Sequence, residues 1–267
     1  METLYIILIF ILGTIIGSFL NVVIFRLPKE EKLGGRSSCP NCGRVLSPRE
    51  LVPLFSFLFQ GAKCRGCGNK ISPQYFFVEL ATGLLFVFTY FLFPLETVLD
   101  YIFIVKALFA ICIFVVVFVV DLKYFLILDK VTFWALGLVG LLNIVIDIYL
   151  KNPFFSGNSY FVTGIIAAIV GSLPFFIIWF ISKGKWMGFG DVKIALFLGF
   201  VFGLPLVFVN IFLAVILGGF VSIIFLLFKI KSLKSQIPLG VFLSLSGVIT
   251  IYFGQEMLAW YLALLGF

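Results

Sequence analysis

Long apolar runs broken by short polar joints set the pattern of this chain. They cover about 3–25, 75–93, 99–120, 127–149 and 159–181; a shorter run starts near Asp191, breaks at Gly203-Leu204-Pro205 and resumes to about Phe228, and a last run covers about 238–264. Most approach the roughly 20 residues that a helix needs to cross about 30 Å of hydrocarbon. The pattern predicts an all-α polytopic membrane protein with about eight transmembrane helices. Pro94 and Glu96 separate the second run from the third, and Gly254 suggests an irregularity in the last. Residues 26–74 alone read as a sizeable polar insertion. The first run lacks a basic leader and a small-residue cleavage signal, which favours a retained helix over a removed signal peptide.

Composition agrees: of 267 residues 63% are hydrophobic and only 12% charged, with a mean hydropathy of +1.24. The net charge of +7 lies mostly at the ends of apolar runs and forms no continuous basic face, so it reads as topology and argues against a nucleic-acid partner. Nine Lys and Arg fall between Arg26 and Lys70, and the segments 123–130, 183–193 and 229–234 add eight. The alternate joints hold little beyond Lys151. Basic loops stay in the cytoplasm, so the insertion is expected there with both chain ends outside.

The insertion carries Cys39-Pro-Asn-Cys42 and Cys64-Arg-Gly-Cys67, two CxxC pairs separated by 21 residues. That spacing suits a structural zinc site in which four thiolates fill a tetrahedron and leave no position for water. Gly43 and Gly68 follow each pair, where a tight knuckle profits from free φ. Two disulfides or unpaired thiols are the competing reading, disfavoured because the loop is expected in a reducing compartment. Cys112, within an apolar run, reads as a small buried hydrophobe.

Asp121 and Asp191 each stand where an apolar run meets a Lys-bearing loop, and the charge pattern puts both on one side. Intramembrane acids are costly unless they face protein or water, which marks them as candidate site residues. Two carboxylates around one water resist double ionisation, so one keeps a proton while the other acts as base. Such a pair can activate water against a peptide carbonyl and protonate the leaving amine. The chain has no histidine, which excludes Ser-His and Cys-His arrangements. Gly188 and Gly190 precede Asp191 at a predicted helix start, where an aspartate also suits the N-terminus without any chemistry. Lys193 reads either as tuning the pair or as an interfacial anchor. Gly17 and Ser18 permit close helix approach, Asn21 suits an interhelical hydrogen bond, and Arg26 reads chiefly as structural.

The segment Gly17 to Pro28, the double CxxC insertion, Ile71 to Gly83, Asp121-Leu-Lys123, Asp129 and Gly188-Phe-Gly-Asp191 together resemble the bacterial type IV prepilin peptidase (prepilin leader peptidase/N-methyltransferase) family. The resemblance implies an intramembrane aspartic endopeptidase of the inner membrane with Asp121 and Asp191 catalytic and Asp129 in a supporting motif. It implies prepilins and pseudopilins as substrates, cut after a glycine that ends a short basic leader. It further implies methylation of the new N-terminal amine from S-adenosylmethionine. The chain departs from the family at Pro48-Arg-Glu-Leu51, where an aromatic residue, an aspartate and an asparagine are common, so Glu50, with Glu79, is the candidate acid for the methyl donor. Leu128 replaces a frequent proline before Asp129 while leaving the functional groups in place. The expected division is a first helix over 1–25, a cytoplasmic zinc-binding insertion over 26–74 and a protease bundle over 75–267. Membrane lipid is the surrounding partner and a monomer the default state. The competing classes are a peptidase without methyl transfer, an ion-coupled transporter and a structural assembly protein.

Overall fold

The computed structural model describes residues 2–93, 95–153, 156–228 and 237–266, so Pro94 and the basic segment 229–234 lie outside the described residues. The chain folds as two compact units, Met1–Pro94 and Leu95–Phe267. Every expected apolar run is helical, and the described residues contain no strand beyond two isolated bridges.

In the first unit, α1 (Glu2–Arg26) leads into the insertion, which holds the short α2 (Phe55–Phe59), and α3 (Gln74–Leu92) follows. Helices α1 and α3 approach closely because glycines line the crossing. A methyl group on Gly17 would stand 2.8 Å from the Cα of Glu79, and one on Gly13 would stand 2.8 Å from the Cα of Gly83. Such small-residue seams let helices pack where lipid removes the hydrophobic drive. Asn21 Nδ2 donates to the carbonyl of Tyr75 at 3.2 Å, the interhelical bond expected of it. Arg26 is structural: its guanidinium donates to the carbonyls of Leu33 at 2.9 Å and Gly34 at 2.7 Å, closing the turn that begins the insertion.

The second unit comprises α4 (Val98–Tyr124), α5 (Asp129–Leu150), α6 (Tyr160–Ser182), α7 (Phe189–Phe202), α8 (Leu206–Leu227) and α9 (Leu239–Leu264). Its core joins Ala110, Phe114, Phe197, Leu198 and Leu243 from α4, α7 and α9. Helix α7 presses on α6 without intervening side chains, since a methyl on Gly199 would stand 2.2 Å from the Cα of Ala168. Among the described residues, seven helices are long and apolar enough to cross a membrane. The sixth expected run, α7, has 14 residues, too few for a full crossing. Helix α9 runs unbroken past Gly254, so the expected irregularity is absent.

The short α7 ends inside protein, and its last carbonyls need partners there. Asn143 of α5 supplies one, its Nδ2 donating to the carbonyl of Phe200 at 3.0 Å. The buried Lys106 of α4 donates in turn to Asn143 Oδ1 at 2.7 Å. A cation also suits a helix C-terminus electrostatically. The fully buried Asp147 is likewise structural: it accepts from Ser159 Oγ at 2.7 Å and from the amides of Tyr160 at 2.8 Å and Phe161 at 3.0 Å, capping α6.

Candidate active site and metal centre

Asp121 occupies the last turn of α4, an unfavourable end for a negative charge. Compensation comes from α9. That helix opens on Pro238, which offers no side-chain acceptor, so its first amides lack a cap of their own. The carboxylate of Asp121 fills the gap: Oδ2 accepts the amide of Val241 at 3.2 Å. Gly240 makes this approach possible, because a methyl there would stand 2.7 Å from Oδ2.

Asp191 sits in the first turn of α7, directly after Gly190 and three residues after the helix-opening Gly188. A methyl on Gly190 would stand 2.9 Å from Cβ of Ile127, and one on Gly240 would stand 3.3 Å from Cδ1 of the same isoleucine. Ile127 therefore wedges between the starts of α7 and α9 and brings Asp191 and Asp121 to one place. The charge of Asp121 is felt at Asp191, and Asp121 itself is buried. Two helix N-termini, each with a partial positive charge, thus converge on two acids.

Lys193 points away from this pair. Its ammonium forms an ion pair with Asp129, the first residue of α5, and lies 5.2 Å from the centre of the Phe189 ring. Of the supporting residues, Gly188 and Gly190 shape the start of α7, while Lys193 and Asp129 strap α7 to α5. Sequence reading missed Gly240 and Ile127; the signal for the first was a Pro-Leu-Gly opening of the last apolar run.

In the insertion the four cysteine sulfurs all lie within 4.8 Å of one another, and Cys39 Sγ and Cys67 Sγ are 3.9 Å apart. A tetrahedron of metal–sulfur bonds near 2.3 Å has sulfurs about 3.8 Å apart, so the cluster fits a four-thiolate ion. The two knuckles repeat one another. The amide of Cys39 donates to the Arg44 carbonyl at 2.9 Å and that of Cys64 to the Asn69 carbonyl at 2.8 Å. The amides of Gly43 and Gly68 close the turns onto the carbonyls of Cys39 and Cys64, with φ of 69° and 74° at the two glycines. Amides of Cys67 and Gly66 directed at sulfur lower the thiol pKa of Cys64 to about 6, favouring the ligating thiolate.

Glu50 and Glu79 are both buried, and each carboxylate accepts hydrogen bonds within the insertion. Glu50 Oε2 accepts from the amide and hydroxyl of Ser47, each at 2.9 Å, and Oε1 pairs with Arg44. These hydrogen bonds and the guanidinium hold the Glu50 carboxyl below the usual carboxylate range. Glu79 Oε2 accepts the amide of Leu54 at 2.8 Å. A cleft of about 390 Å³ beside Glu50 is lined by Arg36, Arg44 and Arg65. Its arginines suit a carboxylate, but its one acid is already neutralised, leaving no counter-charge for the amino and sulfonium groups of S-adenosylmethionine.

Residues 11–93 match the bacterial peptidase A24 N-terminal domain, and residues 107–223, which hold both aspartates, match the type IV leader peptidase family. A prepilin leader peptidase/N-methyltransferase of Vibrio cholerae is 34% identical over 219 residues, covering 78% of this chain and 81% of the relative. The chain belongs to the type IV leader peptidase family. Within that family, a Bacillus subtilis protein of the same description is 28% identical over 96% of this chain and 97% of its own length. A Myxococcus xanthus relative is 52% identical over 84 residues, which cover 31% of this chain and 25% of the relative. No solved structure matches the chain.

Proposed function

We propose that this protein is an intramembrane aspartic endopeptidase of the bacterial inner membrane that removes the short basic leader of type IV prepilins and pseudopilins after a glycine. The observation that carries the proposal is the meeting of Asp121 and Asp191, both inside the segment matching the peptidase family, at the N-termini of α9 and α7. The pair holds one proton. The ionised carboxylate takes a proton from water as the water oxygen bonds to the glycine carbonyl carbon, and the protonated carboxyl donates to the carbonyl oxygen. Collapse breaks the carbon–nitrogen bond, the leaving amine takes up a proton from the acid pair, and the leader departs with a new carboxylate. The amides at the two helix starts favour negative charge where one carboxylate must stay ionised.

The basic insertion supports a cytoplasmic location for the site, and a leader bearing positive charge would then stay on that side while its apolar helix enters lipid. Zinc at Cys39, Cys42, Cys64 and Cys67 would hold the insertion together. Methylation of the exposed amine with S-adenosylmethionine is the second activity, in line with the names of the relatives. Glu50 and Glu79 serve it by holding the insertion in shape, Glu50 through Ser47 and Arg44 and Glu79 through the amide of Leu54. We divide the working parts into the first helix over 1–25, the insertion over 26–74 and the peptidase bundle over 75–267, with α3 packing along α1 at their junction. Incubating a purified precursor with the protein in lipid tests the proposal: leader loss supports it, and an intact precursor beside a well-folded protein refutes it.

A further inference from the structure

The short helix α2 has two faces. Leu54 and Phe57 turn inward, Phe57 lying 5.5 Å ring to ring from Phe76 in the first turn of α3. The outer face carries Phe55, Leu58 and Phe59, and the preceding residues Leu51 and Val52 are also exposed, Phe59 reaching 81%. Three large apolar side chains on the outer face of one helix, with two more exposed just before it, need a cover.

The position of α2 says what covers it. Glu79 lies five residues into α3, a helix long and apolar enough to cross a membrane, and so about 7.5 Å beyond its start. Its carboxylate accepts the amide of Leu54, which opens α2. The insertion therefore dips alongside α3 to the level of its second turn, and Phe57 against Phe76 fixes it there. For an α3 that enters the bilayer at its first turns, a backbone held at that level lies close to the headgroup region. Arg49, on the turn packed against α2, and Lys63, whose amide closes on Gln60 just past its end, are both exposed and bracket α2 in the chain. The insertion from Arg26 to Lys70 holds nine basic residues against three acidic ones, Glu30, Glu31 and Glu50.

We propose that α2 is an interfacial helix: Phe55, Leu58 and Phe59 enter the acyl boundary of the leaflet that α3 enters, and Arg49 and Lys63 contact its anionic headgroups. Apolar side chains flanked by cations are the composition of a surface-lying membrane contact. The role is separate from peptide cleavage and needs only that α3 crosses the bilayer. It assigns Glu79 the task of seating this contact from within α3.

The test places the photocrosslinker p-benzoylphenylalanine at position 59, and separately at position 58, in the full chain reconstituted in nanodiscs. Bound metal reports that the insertion is folded. With phosphatidylglycerol present, irradiation should give adducts carrying the mass of a phospholipid at both positions, in lower yield when the discs hold phosphatidylcholine alone. Adducts to a pilin precursor or to a second copy of this chain, with none to lipid, overturn the proposal by assigning the face to a protein. Absence of any lipid adduct in folded protein overturns it as well, and equal yields in neutral and anionic discs overturn the role given to Arg49 and Lys63.

Discussion

Gly240→Ala is the sharpest perturbation that leaves both candidate acids in place. The added methyl would stand 2.7 Å from Asp121 Oδ2, about 0.7 Å inside ordinary contact at 3.4 Å. It finds no relief on the other side, where Cδ1 of Ile127 is 3.3 Å away. The carboxylate must therefore leave its place on the Val241 amide. Misplacement by about 1 Å can cost about 100-fold in rate, so a shift of about 0.7 Å predicts a loss of about 10- to 100-fold in kcat/KM. That loss corresponds to roughly 1.4–2.7 kcal/mol of transition-state stabilisation. Global stability should change less, because alanine gains about 1 kcal/mol of helix propensity against an overpacking cost of about 1–3 kcal/mol. Gly137→Ala is the matched control, since a methyl there meets nothing within 4 Å. The assay is initial-rate cleavage of a purified precursor, followed by mass spectrometry, with thermal melting in the same detergent. If Gly240→Ala melts normally and cleaves within about twofold of the parent, the seat of Asp121 on α9 has no part in the chemistry.

Replacing Lys106 with methionine should lower stability by about 1–3 kcal/mol, because Asn143 Oδ1 loses its donor inside protein; unchanged melting would remove the role given to this bond. Lys193→Ala breaks a pair whose acid side chain is 60% exposed, so it should cost at most about 1 kcal/mol and leave most cleavage intact. Near-complete inactivation would instead place Lys193 at the substrate. Cys39→Ser should reduce bound zinc and suppress methylation more than cleavage, and metal content equal to the parent would refute the four-thiolate site. Acidification should release the metal as the thiolates protonate, which elemental analysis after dialysis reads directly.

The eight apolar runs were legible because each helix writes its length in hydropathy, and the four-cysteine cluster because two CxxC pairs at this spacing admit few arrangements. What α7 does was harder to read. Its 14 residues end inside the protein, and only the fold shows Asn143 and Lys106 meeting that end. The two aspartates stood out as acids beside hydrocarbon, but so, in principle, did Asp147, which caps α6 with four donors including Asn152. Sequence alone does not separate a satisfied acid from a poised one, because the donors come from segments remote in the chain. The same limit hid the partners of Glu50, inside the insertion, and Glu79, just past it, both bonded to residues of the insertion. Lys193 lies two residues from Asp191, yet on a helix that spacing points side chains apart, and the ammonium goes to Asp129.

The central claim is that Asp121 and Asp191 together cut the leader peptide. One experiment addresses it most directly: mass spectrometry of a purified prepilin incubated in lipid with the parent protein, Asp121→Asn or Asp191→Asn, each with its metal content and melting verified. The parent should release the leader, and with S-adenosylmethionine the product should gain the mass of one methyl group, whereas both asparagine variants should leave the precursor intact. Cleavage by either variant at a rate near that of the parent would contradict the two-carboxylate mechanism.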